Sequence, residues 1–391
     1  MKNIAIIITK LNGGGAERCA SNLSIELSKK YNVKLIVFDA TNMTYPYGGE
    51  LINLNIGNSN GVLKKISNVI KRVNKIRSIK KKYKIDCAIS LLDGPNIVNV
   101  FSSCGEKTVI SVRNMLSYEP MSSLRKKLVR YTSLHSDVTV SLSEMVKRDL
   151  INSFDVPKEK ITTIYNHCDA QLLKDLCEEN PVAIDVDTNK VNFVTMGRLN
   201  KQKGQWHLIR AFQNVVKSIP NAHLYIMGEG ELEQPLKRLI TELHLENSIT
   251  MTGYIKNPHG IYNQCEAFVF PSLFEGLGNV LLEALAFDMP IISSDCEAGP
   301  REILAPNTDL QAKATDVEFA EYGVLVPVCD GGHFNSTDSL TEEEECLAKA
   351  MIRLHNDTDI KGRYRVKAKE RMKDFNKQLI MNEWVNVIEG T

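Results

Sequence analysis

The chain has 391 residues, of which 43% are hydrophobic and 24% charged, a balance typical of a water-soluble globular protein with two or three domains. This composition excludes collagen-like and intrinsically disordered classes, and no apolar run approaches the roughly 18 residues of a membrane-spanning helix. The N-terminus lacks a signal-peptide pattern, because residues 12–17 form a polar, Gly-rich turn where an apolar segment would have to continue.

Charge is distributed unevenly along the chain, although the net charge is only +1. Residues 1–170 contain 26 Lys and Arg against 14 Asp and Glu, whereas residues 171–391 contain 22 against 33. The two halves are therefore predicted to contact different partners, or different faces of one partner.

The cysteines and histidines give no sign of a disulfide framework or a metal site. Nine cysteines are dispersed without a Cys-x-x-Cys pair, and eight histidines form no metal-binding pattern. Free thiols in a reducing cytosol are therefore expected, and no metal bound by the protein is expected.

Both halves alternate short apolar segments with segments of helical periodicity, which predicts α/β domains with right-handed βαβ units on parallel sheets. Residues 178–190, polar and acidic with one proline, are the predicted linker between domains at 1–180 and 190–374. In the first half, strands are predicted at 3–8, 33–38, 87–91, 109–112, 138–141 and 161–164, and helices at 16–30, 62–83 and 122–134. In the second half, strands are predicted at 191–196, 222–227, 248–252, 267–270, 290–293 and 324–326, and helices from 204, at 232–244, at 279–287 and from 339 onward.

The first candidate site is the turn after the first strand, where Gly13, Gly14 and Gly15 precede a helix. Glycines keep side chains out of the way, and N–H groups at a helix N-terminus attract anions, so this turn could contact a phosphate. The turn is not the G-x-G-x-x-G dinucleotide fingerprint. The alternative interpretation is a tight structural turn.

The second candidate site follows the first strand of the second half, where Arg198 and Lys203 lie in a turn and Gly204 opens a helix. Arginine supplies a planar fork and lysine a point charge, and two such cations at the carboxyl end of a sheet can neutralise a diphosphate. The alternative is ordinary solvent-facing charge.

The third candidate site is a Gly-rich turn at residues 270–279 that contains Glu275 and leads into a predicted helix containing Glu283. One carboxylate could accept sugar hydroxyls and the other ribose hydroxyls, while the amides of residues 277–280 could hold phosphate or sugar oxygens. Alternatively, Glu275 caps the helix and Glu283 is a surface residue.

These segments, in this order and at these intervals, resemble the retaining glycosyltransferases of family 4. That family has the GT-B architecture, in which two Rossmann-like lobes have parallel sheets that face each other across a cleft. The resemblance covers nearly the whole chain. Its most specific parts are Gly197-Arg198-Leu199 with Lys203-Gly204, and Glu275-x7-Glu283 within Pro-Ser-x-Phe-Glu-Gly; weaker parts are Gly14-Gly15-Ala16-Glu17-Arg18 and Asn166-x-x-Asp169.

The resemblance implies a role for each motif. Arg198 and Lys203 would bind the donor diphosphate and stabilise the leaving group, Glu275 would contact the donor sugar, and Glu283 would hold the nucleotide ribose. Retention in this family is ascribed to front-face attack, in which the leaving phosphate oxygen takes the acceptor proton, so no metal or covalent intermediate is required. The implied catalytic residues are Glu275, Arg198 and Lys203, and the implied donor-binding residues are Gly14, Gly15, Arg198, Lys203, Glu275, Gly276, Leu277, Gly278, Asn279 and Glu283.

Residues 111–114 depart from the family pattern, because several members have a histidine where this chain has Arg113. An arginine cannot act as a base near neutral pH, since its pKa exceeds ~12. Arg113 and Asn114 are therefore predicted to bind an anionic group, and they are assigned to the acceptor side. The Ser-x-Arg-Asn segment resembles that of polysaccharide-assembly members, some of which use lipid-diphosphate acceptors.

Two further segments bear on partners and architecture. Residues 375–391 resemble the terminal helix that crosses back onto the first lobe in GT-B proteins.

Residues 63–84 contain ten cations and no acid on a predicted amphipathic helix, which fits docking to an anionic membrane at about 1 kcal/mol per cation. Alternatively, its apolar stripe packs on the sheet, as in any Rossmann-like lobe. The stripe comprises Leu63, Ile66, Val69, Ile70, Val73, Ile76 and Ile79, and a second basic cluster comprises Arg125, Lys126, Lys127 and Arg130.

The resemblance implies a cytoplasmic glycosyltransferase of bacterial type, peripheral on the inner face of the plasma membrane. It would move a hexose or N-acetylhexosamine from a nucleotide-sugar donor, UDP rather than GDP, to a polyprenyl-diphosphate-linked glycan in cell-surface polysaccharide or glycoconjugate biosynthesis. The alternatives are a sugar-nucleotide 2-epimerase of the same fold and a non-catalytic sugar-nucleotide-binding protein. An oxidoreductase would need the full dinucleotide fingerprint, and no motif predicts nucleic acid as a partner.

Overall fold

The structure is a computed structural model, and it describes residues 1–57, 59, 61–118, 121–179, 184 and 186–390. The chain divides into two compact units, residues 1–166 with 378–391 and residues 167–377. In the part of the chain that the structure describes, no helix is both long enough and apolar enough to span a bilayer.

The first unit is an α/β domain with helices on both faces of a parallel sheet. Its strands are β1 (Asn3–Ile8), β2 (Asn32–Val37), β3 (Glu50–Asn53), β4 (Cys87–Leu91), β5 (Lys107–Val112), β6 (Val138–Ser141) and β7 (Ile161–Thr163). Its helices are α1 (Gly15–Leu27), α2 (Val62–Lys82), α3 (Asp93–Phe101), α4 (Ser123–His135) and α5 (Glu144–Phe154). The sheet order is β3-β2-β1-β4-β5-β6-β7.

Alternation along β1 shows why this sheet is covered on both sides. Ile4, Ile6 and Ile8 pack in one apolar cluster with α1, whereas Ala5 and Ile7 pack in another with α2 and α3. Successive strand residues point to opposite faces, so a strand buried on both sides is a nearly continuous apolar run.

The second unit has the same construction. Its helices are α6 (Ala170–Glu179), α7 (Gln205–Ser218), α8 (Glu233–Glu242), α9 (Asn279–Ala286), α10 (Pro300–Leu304), α11 (Glu342–Asn356) and α12 (Thr358–Arg371). Its strands are β8 (Val191–Met196), β9 (Ala222–Met227), β10 (Ile249–Gly253), β11 (Ala267–Phe270), β12 (Ile291–Ser294), β13 (Glu318–Phe319) and β14 (Val324–Val326). The sheet order is β10-β9-β8-β11-β12-β14-β13, and the pairs are parallel except for β13 with β14.

The division between the units lies at Asn166, before the predicted boundary at residue 180. The reason is α6, which is held in the second unit because Asn257 Nδ2 donates to the Leu176 carbonyl at 2.6 Å. Of the predicted linker at 178–190, residues 180–183 and 185 lie outside the described residues.

The last helix, α13 (Lys377–Glu389), packs in the first unit. Ile380, Trp384 and Ile388 are each 2% exposed and belong to the same apolar cluster as α1 and the face of β1 that carries Ile4. Residues from the two ends of the sequence thus share one core.

Candidate active site

The candidate site of the second unit lies at the carboxyl ends of β8 and β11. These strands are neighbours, with Phe193 opposite Ala267, although more than 70 residues separate them in the sequence. From this pair the chain winds outward in opposite directions, toward β9 on one side and β12 on the other. The loops after such a pair diverge and leave a crevice, which is where open α/β sheets bind ligands.

Hydrogen bonds fix the loop after β8 against the loop after β11. The Leu273 amide donates to the Gln202 carbonyl at 2.8 Å, and Gln202 Nε2 donates to the Phe274 carbonyl at 2.9 Å. Gly204 has a φ of 61°, and a Cβ there would lie 2.4 Å from the Pro271 carbonyl oxygen, so only glycine fits between the loops.

This arrangement brings Lys203 and Glu275 together. Lys203 Nζ lies 2.5 Å from Glu275 Oε1, with the two side chains 17% and 9% exposed. The ammonium also lies 5.2 Å from the centre of the Phe270 ring. Arg198, on the same loop as Lys203, is exposed to solvent. The loop after β8 therefore carries both a sheltered lysine, paired with Glu275, and an exposed arginine.

The amides predicted to hold phosphate or sugar oxygens lie at the start of α9. Gly276, Leu277 and Gly278 are buried, and Asn279 opens the helix. Gly278 is the N-cap with a φ of 83°, and it offers no side chain to cap the first turn. The N–H groups of such a helix N-terminus favour an anionic or polar ligand.

Glu283 lies on the second turn of α9. Its partner is His259, whose Nε2 lies 2.9 Å from Glu283 Oε2, and both side chains are 7% exposed. The sequence analysis missed His259, which lies in the 3₁₀ segment Pro258–Gln264 and belongs to no motif. It likewise missed the buried pair of Arg301 with Asp295, at 2.6 Å, near the carboxyl end of β12.

In the first unit, the Gly13–Gly15 loop follows β1 and leads into α1, as predicted. The Glu17 side chain folds back over this loop, as shown by its Oε2, which would lie 2.0 Å from a Cβ on Gly14. Its carboxylate therefore occupies the space beside the Gly14 Cα. Phosphate contact by this loop stays a prediction.

Arg113 is a buried cation at the end of β5, with 5% of its surface exposed. It donates to Ser111 Oγ and Asn166 Oδ1, and its Nε has no partner among the described residues. No carboxylate of the described part of the chain pairs with it, and burial lowers the pKa of the guanidinium. Asn114 beside it is exposed. A buried, uncompensated arginine is costly unless an anion joins it, so the geometry is suited to an anionic ligand.

The basic helix α2 differs from the predicted stripe. Ile76 and Val73 pack against the sheet, but Leu63, Ile66 and Ile70 are 85%, 53% and 56% exposed. Lys80, one of the ten cations of the predicted membrane-docking helix, is buried and lies 2.5 Å from Glu106 Oε1. The exposed apolar side chains of α2 therefore lie in its N-terminal half, whereas exposed lysines continue into its C-terminal half at Lys75, Lys81 and Lys82.

The described residues contain no cluster of side chains that could coordinate a metal ion. Over the described ranges, no three His, Cys, Asp or Glu side chains are grouped to hold an ion.

Two family models match the chain, one described as Glycosyltransferase Family 4 over residues 13–172 and one as Glycosyl transferases group 1 over residues 177–321. An uncharacterized glycosyltransferase of Methanocaldococcus jannaschii is 33% identical over 341 residues, which cover 83% of this chain and 84% of that protein. The chain belongs to the family 4 glycosyltransferases.

Other relatives of this glycosyltransferase extend over its whole length. The N-acetylgalactosamine-N,N'-diacetylbacillosaminyl-diphospho-undecaprenol 4-alpha-N-acetylgalactosaminyltransferase of Campylobacter jejuni is 26% identical over 400 residues, covering 100% of both chains. Among solved structures, Anabaena HepE in complex with UDP has a TM-score of 0.75 at 17% identity and covers 100% of both chains. A glycosyltransferase from Rickettsia africae gives the same TM-score and identity, covering 100% of this chain and 98% of that one. These likenesses show that the family 4 enzyme has the GT-B fold of two α/β domains with parallel sheets.

Proposed function

We propose that this glycosyltransferase moves a hexose or N-acetylhexosamine from a UDP-sugar to a hydroxyl group of a polyprenyl-diphosphate-linked glycan, with retention of anomeric configuration. In this reaction the bond between the anomeric carbon and the donor phosphate oxygen breaks. The bond to the acceptor oxygen forms on the same face, and the acceptor proton passes to the departing phosphate oxygen.

The observation that carries the proposal is the contact between Lys203 and Glu275, with Arg198 on the same loop, at the crevice between β8 and β11. A sugar diphosphate has an anionic part and a hydroxyl-rich part joined at one bond. A cation adjacent to a carboxylate matches these two parts, because the cation binds phosphate and the carboxylate accepts hydroxyls. Charge stabilisation of the leaving diphosphate by Lys203 and Arg198 would be the main catalytic contribution.

The proposed reaction uses no metal ion. In some transferases a divalent cation neutralises the diphosphate, whereas here two side-chain cations would do so. Removal of divalent metal by a chelator should therefore leave the rate of transfer unchanged.

Two relatives support the choice of donor and acceptor. The Campylobacter jejuni protein is named for a diphospho-undecaprenol acceptor and an N-acetylgalactosaminyl group, and the Anabaena structure contains UDP. On the acceptor side, Arg113 and Asn114 would bind an anionic group of the acceptor, for which its diphosphate is the natural candidate.

We also infer contact with the cytoplasmic face of the membrane, through the N-terminal half of α2. Leu63 and Ile66 would enter the lipid surface while Lys64 and Lys65, both exposed, meet anionic headgroups. An amphipathic helix that combines apolar and basic side chains binds membranes through both effects. A lipid-linked acceptor would require the enzyme to work at such a surface.

The test begins with thermal unfolding of the full chain in the presence of UDP, GDP, CMP, NAD and a panel of UDP-sugars, without metal. A ligand that binds only the folded protein raises its apparent stability. Stabilisation by UDP and by one UDP-sugar, lost in Arg198→Ala, would support the proposal and narrow the donor. That donor is then tested with a polyprenyl-diphosphate saccharide for transfer.

Three other results would favour different functions. Conversion of the donor sugar without an acceptor would indicate the epimerase, and binding without any turnover would indicate a non-catalytic protein. Stabilisation by NAD alone would contradict a sugar-nucleotide donor.

A further inference from the structure

His259 forms a side-chain hydrogen bond with the Glu283 carboxylate. The 3₁₀ segment Pro258–Gln264 connects β10 to β11 and carries the histidine across to the second turn of α9. Its Nε2 lies 2.9 Å from Glu283 Oε2, a normal hydrogen-bond distance. The carboxylate can only accept, so His259 Nε2 must carry the hydrogen.

The imidazole ring of His259 is held in place by aromatic neighbours. It stacks on Phe287, with ring centres 5.4 Å apart and planes 1° from parallel. The Tyr262 ring meets it at right angles, also at 5.4 Å. His259 Nδ1 is buried and has no hydrogen-bond partner among the described residues. The imidazole ring is thus fixed by packing on two sides, and among the described residues its side-chain hydrogen bond goes to Glu283.

The position of the Glu283 carboxylate makes this orientation matter. The side chain is only 7% exposed, so only a small part of it can meet a ligand. A rotation of the carboxylate about its last bond would change which oxygen reaches that opening. The hydrogen bond from His259 Nε2 to Oε2 opposes that rotation.

We propose that His259 is a positioning residue that orients Glu283 to accept the ribose hydroxyls of the donor, and thereby makes the enzyme selective for ribonucleotides. The inference rests on the proposed function, because it takes the ligand of Glu283 to be the nucleotide ribose. A polar site that accepts hydrogen bonds from ligand hydroxyl groups discriminates strongly against a ligand without those hydroxyls, because its buried acceptors are then left unpaired. An apolar pocket discriminates less strongly against a ligand that carries an additional group.

The experiment compares the affinities of UDP, 2′-deoxy-UDP and 3′-deoxy-UDP for the full chain by calorimetry. In the parent protein, at least one deoxy ligand should bind about 10-fold or more weakly than UDP, the cost of a hydrogen bond to a charged acceptor. His259→Phe keeps a ring against Phe287 and Tyr262 but donates nothing. In this variant UDP should bind about 10-fold more weakly, and the difference between UDP and the deoxy ligand should shrink to about 2-fold or less.

Two variants separate positioning from a general loss of packing. His259→Gln retains an amide N–H that can reach Glu283 and should recover most of the discrimination. Tyr262→Phe perturbs the same aromatic cluster but retains both His259 and Glu283, and it should leave discrimination unchanged. In transfer assays His259→Phe should raise the donor KM about 10-fold while kcat changes by less than about 3-fold, because the effect lies in donor binding.

A double-variant cycle provides a measure that does not depend on stability. If His259 acts through Glu283, then in Glu283→Gln the further change His259→Phe should alter UDP affinity by less than about 2-fold. Additive losses would overturn the proposal, as would full discrimination between UDP and 2′-deoxy- or 3′-deoxy-UDP in His259→Phe.

The failure of the proposed function gives a different result. If the parent protein binds no UDP, the proposed donor is wrong and the inference falls with it. If the parent binds UDP and rejects a deoxy ligand, and His259→Phe does the same, the donor stands and only the role of His259 is wrong.

Discussion

The Lys203 ammonium and the Glu275 carboxylate form a 2.5 Å ion pair that joins the loops following two neighbouring strands. In the absence of ligand, Glu275 neutralises the cation that the proposed mechanism assigns to the donor diphosphate. The donor diphosphate and the Glu275 carboxylate should therefore compete for Lys203. When the diphosphate binds Lys203, the donor sugar would have to supply new hydrogen bonds to Glu275.

Glu275→Gln should separate these two roles. Without the carboxylate, Lys203 is free to meet phosphate, so UDP should bind about 3- to 10-fold more tightly, because no ion pair has to be broken first. Transfer should fall about 100-fold or more, because the sugar and the developing charge lose their carboxylate. Calorimetry with UDP and a turnover assay measure the two effects. Weaker UDP binding in this variant would show that Glu275 does not compete for Lys203.

Arg198 and Lys203 should differ in their effects on folding, although both should be needed for transfer. Arg198→Ala removes an exposed side chain and should change the free energy of unfolding by less than about 0.5 kcal/mol. Lys203→Ala leaves the buried Glu275 without its cation and should cost about 1–3 kcal/mol. Lys201→Ala, at an exposed lysine of the same loop, is the matched control and should affect neither property. Denaturant unfolding and steady-state kinetics give the comparison, and equal stability losses for Arg198 and Lys203 would contradict it.

Arg113→Gln should impair the acceptor rather than the donor. The variant removes a buried cation that no described carboxylate compensates, so the free energy of unfolding should stay the same or rise. The acceptor KM should rise about 10-fold or more through the loss of a charged hydrogen bond, whereas UDP affinity should not change. Arg113→Lys keeps the charge without the planar fork and should be intermediate. A loss of UDP affinity in Arg113→Gln would indicate that Arg113 binds the donor diphosphate and not an anionic group of the acceptor.

Replacement of Leu63 and Ile66 by Ser should reduce binding to anionic vesicles about 10-fold or more, because each side chain would bury apolar area in lipid. Val366→Ser is the matched control, since Val366 on α12 is 68% exposed but has no place in the proposed membrane surface. Vesicle sedimentation at low and high salt measures the apolar and the electrostatic parts. Equal vesicle binding by the double variant and the control would remove the membrane proposal. Lys80 is not a suitable probe, because its substitution would leave the buried Glu106 carboxylate without its cation.

The pH dependence of stability should contain a contribution from His223. Burial, and then the nearby Lys190, lower its pKa from 6.5 to about 4. A group with a depressed folded pKa stays neutral in the folded protein while the unfolded chain takes up a proton, so its stabilisation is lost as pH falls from 6.5 toward 4. The loss should reach up to about 3 kcal/mol. His223→Gln should flatten the stability profile over this window, and an unchanged profile would show that the imidazole is not the cause.

Much of the fold could be predicted because buried parallel strands are nearly continuous apolar runs. The strands predicted at 3–8, 87–91 and 191–196 have the observed bounds. The strand β3 was not predicted, since it is a short edge strand with no fully buried residue and little apolar patterning marks it. The helix α3 was not predicted because Gly94 and Pro95 resemble a turn, although proline is well tolerated in the first turn of a helix.

In the candidate site, the residues that belong to loop motifs could be predicted, whereas contacts between residues outside those motifs could not. Loop motifs after strands located Arg198, Lys203 and Glu275, because the ends of parallel strands meet at one sheet edge. Sequence could not pair Glu283 with His259 or Lys80 with Glu106, since each contact joins two elements without a shared motif. It also could not show that Glu17 folds over Gly14, because rotamers are set by local packing.

The place of α13 in the core of the first unit has a consequence for synthesis on the ribosome. Residues 1–166 emerge early, yet the apolar surface that receives Ile380, Trp384 and Ile388 stays uncovered until more than 200 further residues have been translated. The second unit is contiguous in the chain and can complete its core before then. The domain that is made first is thus the last to finish folding, and in a nascent chain it is the part most exposed to aggregation and to chaperones.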